Sequence, residues 1–321
     1  MSSAQAASTA FPAPIGGVPF NSDLAPSIVF VVAYAAVIPL GLYRIIQTKS
    51  RTLCTLSTVF FVVERLVTYS LRASAAHTRS QDTSRGLTRY WQSTYGIGYL
   101  SIFSSIAAII HSLLVNATFG VPSAPASESD LDAEKDQPLV TQQTHSVPTE
   151  GDQPRARYWY RRICISLSLS SLITLILGIV SGVEYPSAES NPKTANAVEG
   201  LRYTTTGMAF IQILIFQGLS VWGYLRVPRI SRSGALTMAV LCALLNVVSI
   251  YRLVVMHNKT PSLTSTGPGS LNSMTSKATF YIFHVLPEWL AATTLLAINV
   301  RQTFGTGMFG DYRLLDKKPA P

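Results

Sequence analysis

The stretch PSIVFVVAYAAVIPLGLYRII, residues 26–46, decides the fold class. From Pro26 to Tyr43 it runs eighteen residues without a charge. As a helix rising about 1.5 Å per residue, the whole stretch covers the ~30 Å hydrocarbon layer of a bilayer. Six further apolar stretches follow, at about 53–73, 91–115, 162–184, 202–225, 234–256 and 279–301. None shows the short alternating pattern of a barrel strand. In lipid a helix satisfies its own backbone hydrogen bonds, whereas an open strand does not. The expected fold is all-α: a polytopic membrane protein with seven transmembrane helices.

Composition agrees. Of 321 residues, 48% are hydrophobic and 13% charged, and the mean hydropathy is +0.29. Soluble domains carry about 25% charged residues, so an ordinary soluble enzyme is excluded. Cys54, Cys164 and Cys242 all fall inside apolar stretches, which argues against a disulfide framework and against a Cys-x-x-Cys zinc site. No charged segment precedes the first apolar stretch, so it is expected to act as an uncleaved signal anchor.

The net charge of +9 raises the question of nucleic acid, and the positions of the cations answer it. With the N-terminus outside, fifteen Lys and Arg fall in inner segments and eight in outer ones. This bias predicts an outer N-terminus and an inner C-terminus, with the basic residues marking a membrane face and no nucleic-acid partner. Arg72, Arg79, Arg85, Arg89 and Lys277 are counted as outer-loop charges. The sequon Asn258-Lys259-Thr260 falls outside and makes Asn258 a glycosylation candidate, while Asn116-Ala117-Thr118 falls inside.

The expected organisation is a disordered outer tail over 1–25, helices one to three over 26–116, a disordered acidic cytoplasmic loop over 117–160, helices four to seven over 161–302 and a cytoplasmic tail over 303–321. The long loop holds seven of the chain's 16 acids between 128 and 152 and is rich in Pro and Ser. Such a composition buries too little apolar surface to fold.

Ionisable residues within a span are costly and therefore informative. In the second span, Arg65, Tyr69 and Arg72 share one helical stripe, and Glu64 lies on the neighbouring one. Glu64 and Arg65 point about 100° apart and each needs a partner on another helix. In the seventh span Tyr281, His284 and Glu288 share a face, and Pro287 beside them removes an amide and bends the helix. In the sixth span Arg252 lies near the outer end. Glu64, Arg65, Tyr69, Arg252, Tyr281, His284 and Glu288 form the candidate ligand pocket: polar, intramembrane and facing outward, with contacts Arg252–Glu288 or Arg65–Glu288. Gly178 and Gly182 form a Gly-x-x-x-Gly step beside a run of serines in the fourth span, suited to close helix packing. No two of the five histidines lie four apart, and no phosphate loop or nucleophile elbow is present. No enzymatic activity, metal or cofactor is expected.

The run Glu64-Arg65-Leu66-Val67-Thr68-Tyr69-Ser70-Leu71-Arg72-Ala73 resembles a stretch in a fungal family of seven-span membrane proteins described only as a domain of unknown function. That family places an Arg here and a Leu-Arg pair six residues on, matched by Arg65, Leu71 and Arg72. The resemblance continues through Ala278-Thr279-Phe280-Tyr281-Ile282-Phe283, Glu288, Val300-Arg301 and Phe304. The family's acid after the exit arginine is missing, since Gln302 follows Arg301. A looser similarity, through Tyr251-Arg252 and Phe280-Tyr281, links the chain to the fungal lipid-translocating exporters. The acid that those proteins carry after the arginine is replaced by His257 and Asn258. The resemblance implies a seven-span fold and a fungal source, and no activity.

Two functions fit. One is a receptor-like sensor with an outward-facing pocket and a cytoplasmic signalling partner on the 117–160 loop, where Ser123, Ser127, Ser129, Thr141, Thr144 and Thr149 are phosphorylatable. The other is a translocator of lipids or amphiphiles. Both place the chain in the plasma membrane or an endomembrane, with lipids as neighbours.

Overall fold

The computed structural model describes residues 10–78, 84–120 and 151–308. The fold is a seven-helix bundle built from α1 (Leu24–Ile46), α2 (Leu53–His77), α3 (Arg85–Asn116), α4 (Pro154–Val183), α5 (Pro192–Arg226), α6 (Arg232–Val255) and a broken seventh span. That span consists of α7 (Met274–Phe280), a π-helical turn (Tyr281–Val285) and α8 (Leu286–Ala297). A short α9 (Val300–Phe304) follows. The protein is thus a multi-pass membrane protein by the length and apolarity of its helices.

Local chemistry sets most helix starts. Thr52, Ser84, Asn191, Ser231 and Ser273 each accept a backbone N–H of the first turn, satisfying donors that a helix start leaves open. Pro154 and Pro192 occupy the first turns of α4 and α5, where a missing amide costs nothing. The seventh span ends at Ala297, four residues before the expected end at 301. Asn299 turns the chain instead, accepting the Gln302 amide and starting α9. α3, α4 and α5 begin ahead of their apolar stretches, because polar turns extend these helices beyond the hydrophobic segment.

α3 is the axis of the bundle. Of its most apolar window 78% is buried, against 17% for α4. Phe103, Ile106, Ile110 and Leu114 of α3 meet Phe216 of α5 and Cys242 and Leu245 of α6 in one core. Val29, Val32, Phe60, Leu169, Ile173, Leu225 and Val254 face outward. In water such a surface would aggregate; in lipid it is the required one.

Gly178 and Gly182 turn against α3 within the same chain. A Cβ at Gly182 would stand 2.5 Å from Ser93 Cα, and one at Gly178 3.2 Å from Ile97. The small residues therefore seat α4 on α3. Gly182→Val forces the helices apart and costs about 2–3 kcal/mol. Gly218→Ala, with open space at its Cβ, serves as the control and does not lower the midpoint of thermal unfolding in detergent, since alanine favours the helix.

The N-terminal segment departs most from expectation. Residues 1–9 and 121–150 lie outside the described residues. Residues 10–25, expected as part of a disordered tail, are ordered, and Phe11–Pro19 are buried. Phe11 and Pro12 form β1, paired antiparallel with β2 (Lys259–Thr260). A turn follows, in which Gly17 N–H donates to Pro14 O at 2.9 Å. Gly16 and Gly17 have φ of 78° and 64°, a left-handed conformation that disfavours a side chain. The segment lies across the end of the bundle where α2, α4 and α6 finish. That composition reads as disordered, but it also offers many backbone carbonyls, and the helices supply donors for them.

Candidate functional site: a closed polar centre under the N-terminal segment

Arg65, Tyr69 and Arg72 form one buried stripe along α2. Arg65 Nη2 lies 2.9 Å from Glu288 Oε2 and donates to Glu288 Oε1 at 3.1 Å and to Thr94 O at 3.2 Å. The guanidinium lies 5.0 Å from the Phe61 ring centroid and 5.7 Å from that of Tyr95. A Cβ on Gly98 would overlap it, so α3 makes room for Arg65 by having no side chain there. Glu64 lies on the neighbouring stripe yet still forms a looser ion pair with Arg65. Its carboxylate comes no nearer than 3.5 Å to Arg65 Nη1, and it accepts from the Thr68 and Tyr90 hydroxyls at 2.6 and 3.1 Å.

The seventh span positions Glu288 and His284 through its π turn. Leu286 N–H donates to Tyr281 O, five residues back, and Pro287, with no amide, enters the first turn of α8. The wider turn absorbs the missing hydrogen bond, as π-bulges do. His284 Nδ1 lies 3.5 Å from Glu288 Oε1, outside good hydrogen-bond alignment. Both His284 nitrogens, Arg65 Nε and the hydroxyls of Tyr34 and Tyr69 are buried without a hydrogen-bond partner.

Arg252 does not reach Glu288, and it does not snorkel to the interface. It is buried, donating to Tyr95 O at 2.6 Å and Thr206 Oγ1 at 3.3 Å, with its guanidinium 5.4 Å from the Tyr99 ring centroid. Of the two contacts expected for Glu288, the structure forms the one to Arg65. Tyr281 joins a different group. Its hydroxyl donates to Asp23 Oδ1 at 3.1 Å, and its ring stacks on Phe30 at 5.8 Å.

That second group escaped the sequence reading. Asp23 accepts from Arg72 Nη2 at 2.8 Å, Arg72 Nε at 3.2 Å, the Phe20 amide at 3.0 Å and Lys277 Nζ. Arg72 and Lys277, counted as outer-loop charges, are buried in helices, where they share the single Asp23 carboxylate and the carbonyls of Gly16, Gly17 and Val18. Asp23 is the only acid before Glu64, and a lone carboxylate at the start of a span was the signal available.

The expected pocket is therefore not open. Arg65, Tyr69, Arg252, Tyr281, His284 and Glu288 are all buried, and only Glu64 is partly exposed. The segment Phe11–Val18 and the Asp23 clamp close this end of the bundle. Asn258 lies beside them: its carbonyl accepts the Ala13 amide at 2.9 Å, and its side-chain amide donates to Val255 O. Among the described residues, no group of three or more His, Cys, Asp or Glu converges as metal ligands would.

No family model matches this chain, and neither a curated protein nor a solved structure shows significant similarity to it.

Proposed function

We propose that the protein is a receptor-like sensor of the membrane surface, with the N-terminal face outside and the Arg65–Glu288–His284 centre as its responsive site. One observation carries this reading: partnerless buried polar atoms from α1, α2 and the seventh span converge at a π turn beside a proline. Buried polar groups are nearly always satisfied, and clustered exceptions call for a second arrangement or an arriving group that completes them. A π turn beside Pro287 gives the span a place to change register. The motif resemblance to the fungal seven-span family belongs to this proposal, as does a cytoplasmic partner on the 117–160 loop.

The test uses no ligand. A fluorophore attached at exposed Gln302, on the face opposite the N-terminal segment, reports on the protein in nanodiscs. Loosening the cover with Asp23→Asn shifts its emission, and adding Glu288→Gln removes that shift. An identical signal with and without Asp23→Asn refutes the sensor reading.

The second reading, an amphiphile translocator, is favoured by a groove of about 410 Å³ on the lipid-facing side between α6 and the seventh span. Val247, Ile250, Val254 and Phe283 line it. Tyr251, also in its wall, stands 6.1 Å ring to ring from His284. Movement of a fluorescent phospholipid analogue across reconstituted vesicles, falling about tenfold with Glu288→Gln and surviving deletion of residues 119–156, is the result this reading requires.

A further inference from the structure

The N-terminal segment is held as a bound peptide is held. Its carbonyls are met one after another by side chains of different helices: Pro12 O by the Tyr185 hydroxyl at 2.8 Å, Ala13 O by Arg202 Nη1 at 3.0 Å and Ile15 O by Gln92 Nε2 at 3.2 Å. Arg72 takes Gly16 O and Gly17 O, and Lys277 Nζ takes Val18 O at 2.7 Å. The free amides are matched too. Ile15 N–H donates to Gln92 Oε1 at 3.1 Å and Val18 N–H to Asn272 Oδ1 at 2.9 Å. Phe11 and Val18 fill an apolar patch with Tyr185, Val198 and Leu263.

A segment that only sealed the bundle against water would need apolar cover. Here Arg72, Arg202 and Lys277, buried cations that are expensive to keep, aim their donors at main-chain carbonyls instead. Gln92 reads both the carbonyl and the amide of Ile15, as a neighbouring strand would. Strand pairing at Phe11–Pro12 and carbonyl capture along the rest of the segment are devices of peptide recognition.

We propose that the end of the bundle formed by Gln92, Tyr185, Arg202, Asn272 and the β2 edge is a peptide-binding vestibule. Its ligand is a proline-spaced peptide that begins as a strand and turns at a Gly-Gly step, and its resident occupant is the protein's own segment Phe11–Val18. The proposal supplies a ligand class for the sensor reading and rests on that reading for its consequence, not for the binding itself.

The experiment disables the occupant without touching the vestibule. In Gly16→Val/Gly17→Val, the new side chains meet the Phe280 ring and Asn272 Oδ1, and both positions have positive φ. The segment then no longer fits in cis. A fluorescent peptide of residues 10–20 (AFPAPIGGVPF) is titrated onto this variant and onto the unaltered chain, both in nanodiscs. The expected result is saturable binding to the variant, none to the unaltered chain, and none by a peptide carrying the two valines. Adding Gln92→Ala and Arg202→Ala weakens binding by about tenfold or more, the loss expected when hydrogen bonds to a charged donor are removed.

Should the valine variant fail to fold, a site-specific protease sequence placed between the exposed Asn21 and Ser22 lets the chain fold first. Exchange of the cleaved fragment for labelled peptide is then measured. No binding to a folded variant, or a cleaved fragment that never exchanges, overturns the proposal. Peptide binding with no change of the Gln302 probe refutes the sensor reading and leaves the vestibule standing.

Discussion

Asp23→Ala unlocks the N-terminal end of the bundle. The Asp23 carboxylate is fully buried and accepts from Arg72, Lys277, Tyr281 and the Phe20 amide. Removing it leaves two cations buried without a counterion, and such a loss typically costs about 3–5 kcal/mol. The damage is local first. Arg72 and Lys277 also hold the carbonyls of Gly16, Gly17 and Val18, and both side chains leave to find water or another acceptor. Hydrogen exchange followed by mass spectrometry reads this directly. In the unaltered protein the amides of Ala13, Ile15 and Val18 exchange slowly, because each belongs to a buried residue and is hydrogen-bonded to another part of the fold. In the variant they exchange at the rate of an open chain, while the α3 core stays protected. Unchanged slow exchange would mean that the segment is held by its apolar contacts alone.

Arg65→Met costs about as much, by the same physics at a different depth. It strands Glu288, which is buried at mid-span with His284 as its nearest other polar neighbour. The loss expected is about 3–5 kcal/mol, read as a lower midpoint on denaturation in mixed micelles. Arg65→Met with Glu288→Leu removes both charges, and apolar replacement of a buried pair is commonly neutral or stabilising. The double variant therefore recovers most of the loss, and the cycle gives the coupling energy of the pair. It also separates stability from response. A double variant that is stable yet still shifts the Gln302 probe when Asp23 is replaced shows that the pair is a packing element and nothing more.

Much of the fold was legible because membrane burial is written in long apolar runs. The stretches at 26–46 and 234–256 reappear as α1 and α6 within two residues at each end, since a bilayer demands apolar length whatever the neighbours are. The stripe of Arg65, Tyr69 and Arg72 was legible from helical spacing, and so was the inward turn of Glu288. The end of the seventh span was not. Ile298 is as apolar as any lipid-facing residue, and only the Asn299 cap stops the helix there.

What the sequence by itself determined is which segments cross the membrane and that Arg65, Arg252 and Glu288 are trapped inside it, whereas the burial of Asp23, Arg72 and Lys277 was not legible. Both follow from transfer free energies that each residue carries with it. The tertiary structure alone decided how those charges pair. Asp23 binds residues 49 and 254 positions away, and Arg65 makes a closer contact with Glu288 than with its own neighbour Glu64, in the space left by Gly98. It also decided that residues 11–18 are a seated segment, a two-residue strand followed by a turn, not a loose tail. With no charge, two prolines and two glycines, the segment has no pattern of its own to fold by. Its order comes from donors that five other parts of the chain bring to its carbonyls, and no local reading contains them.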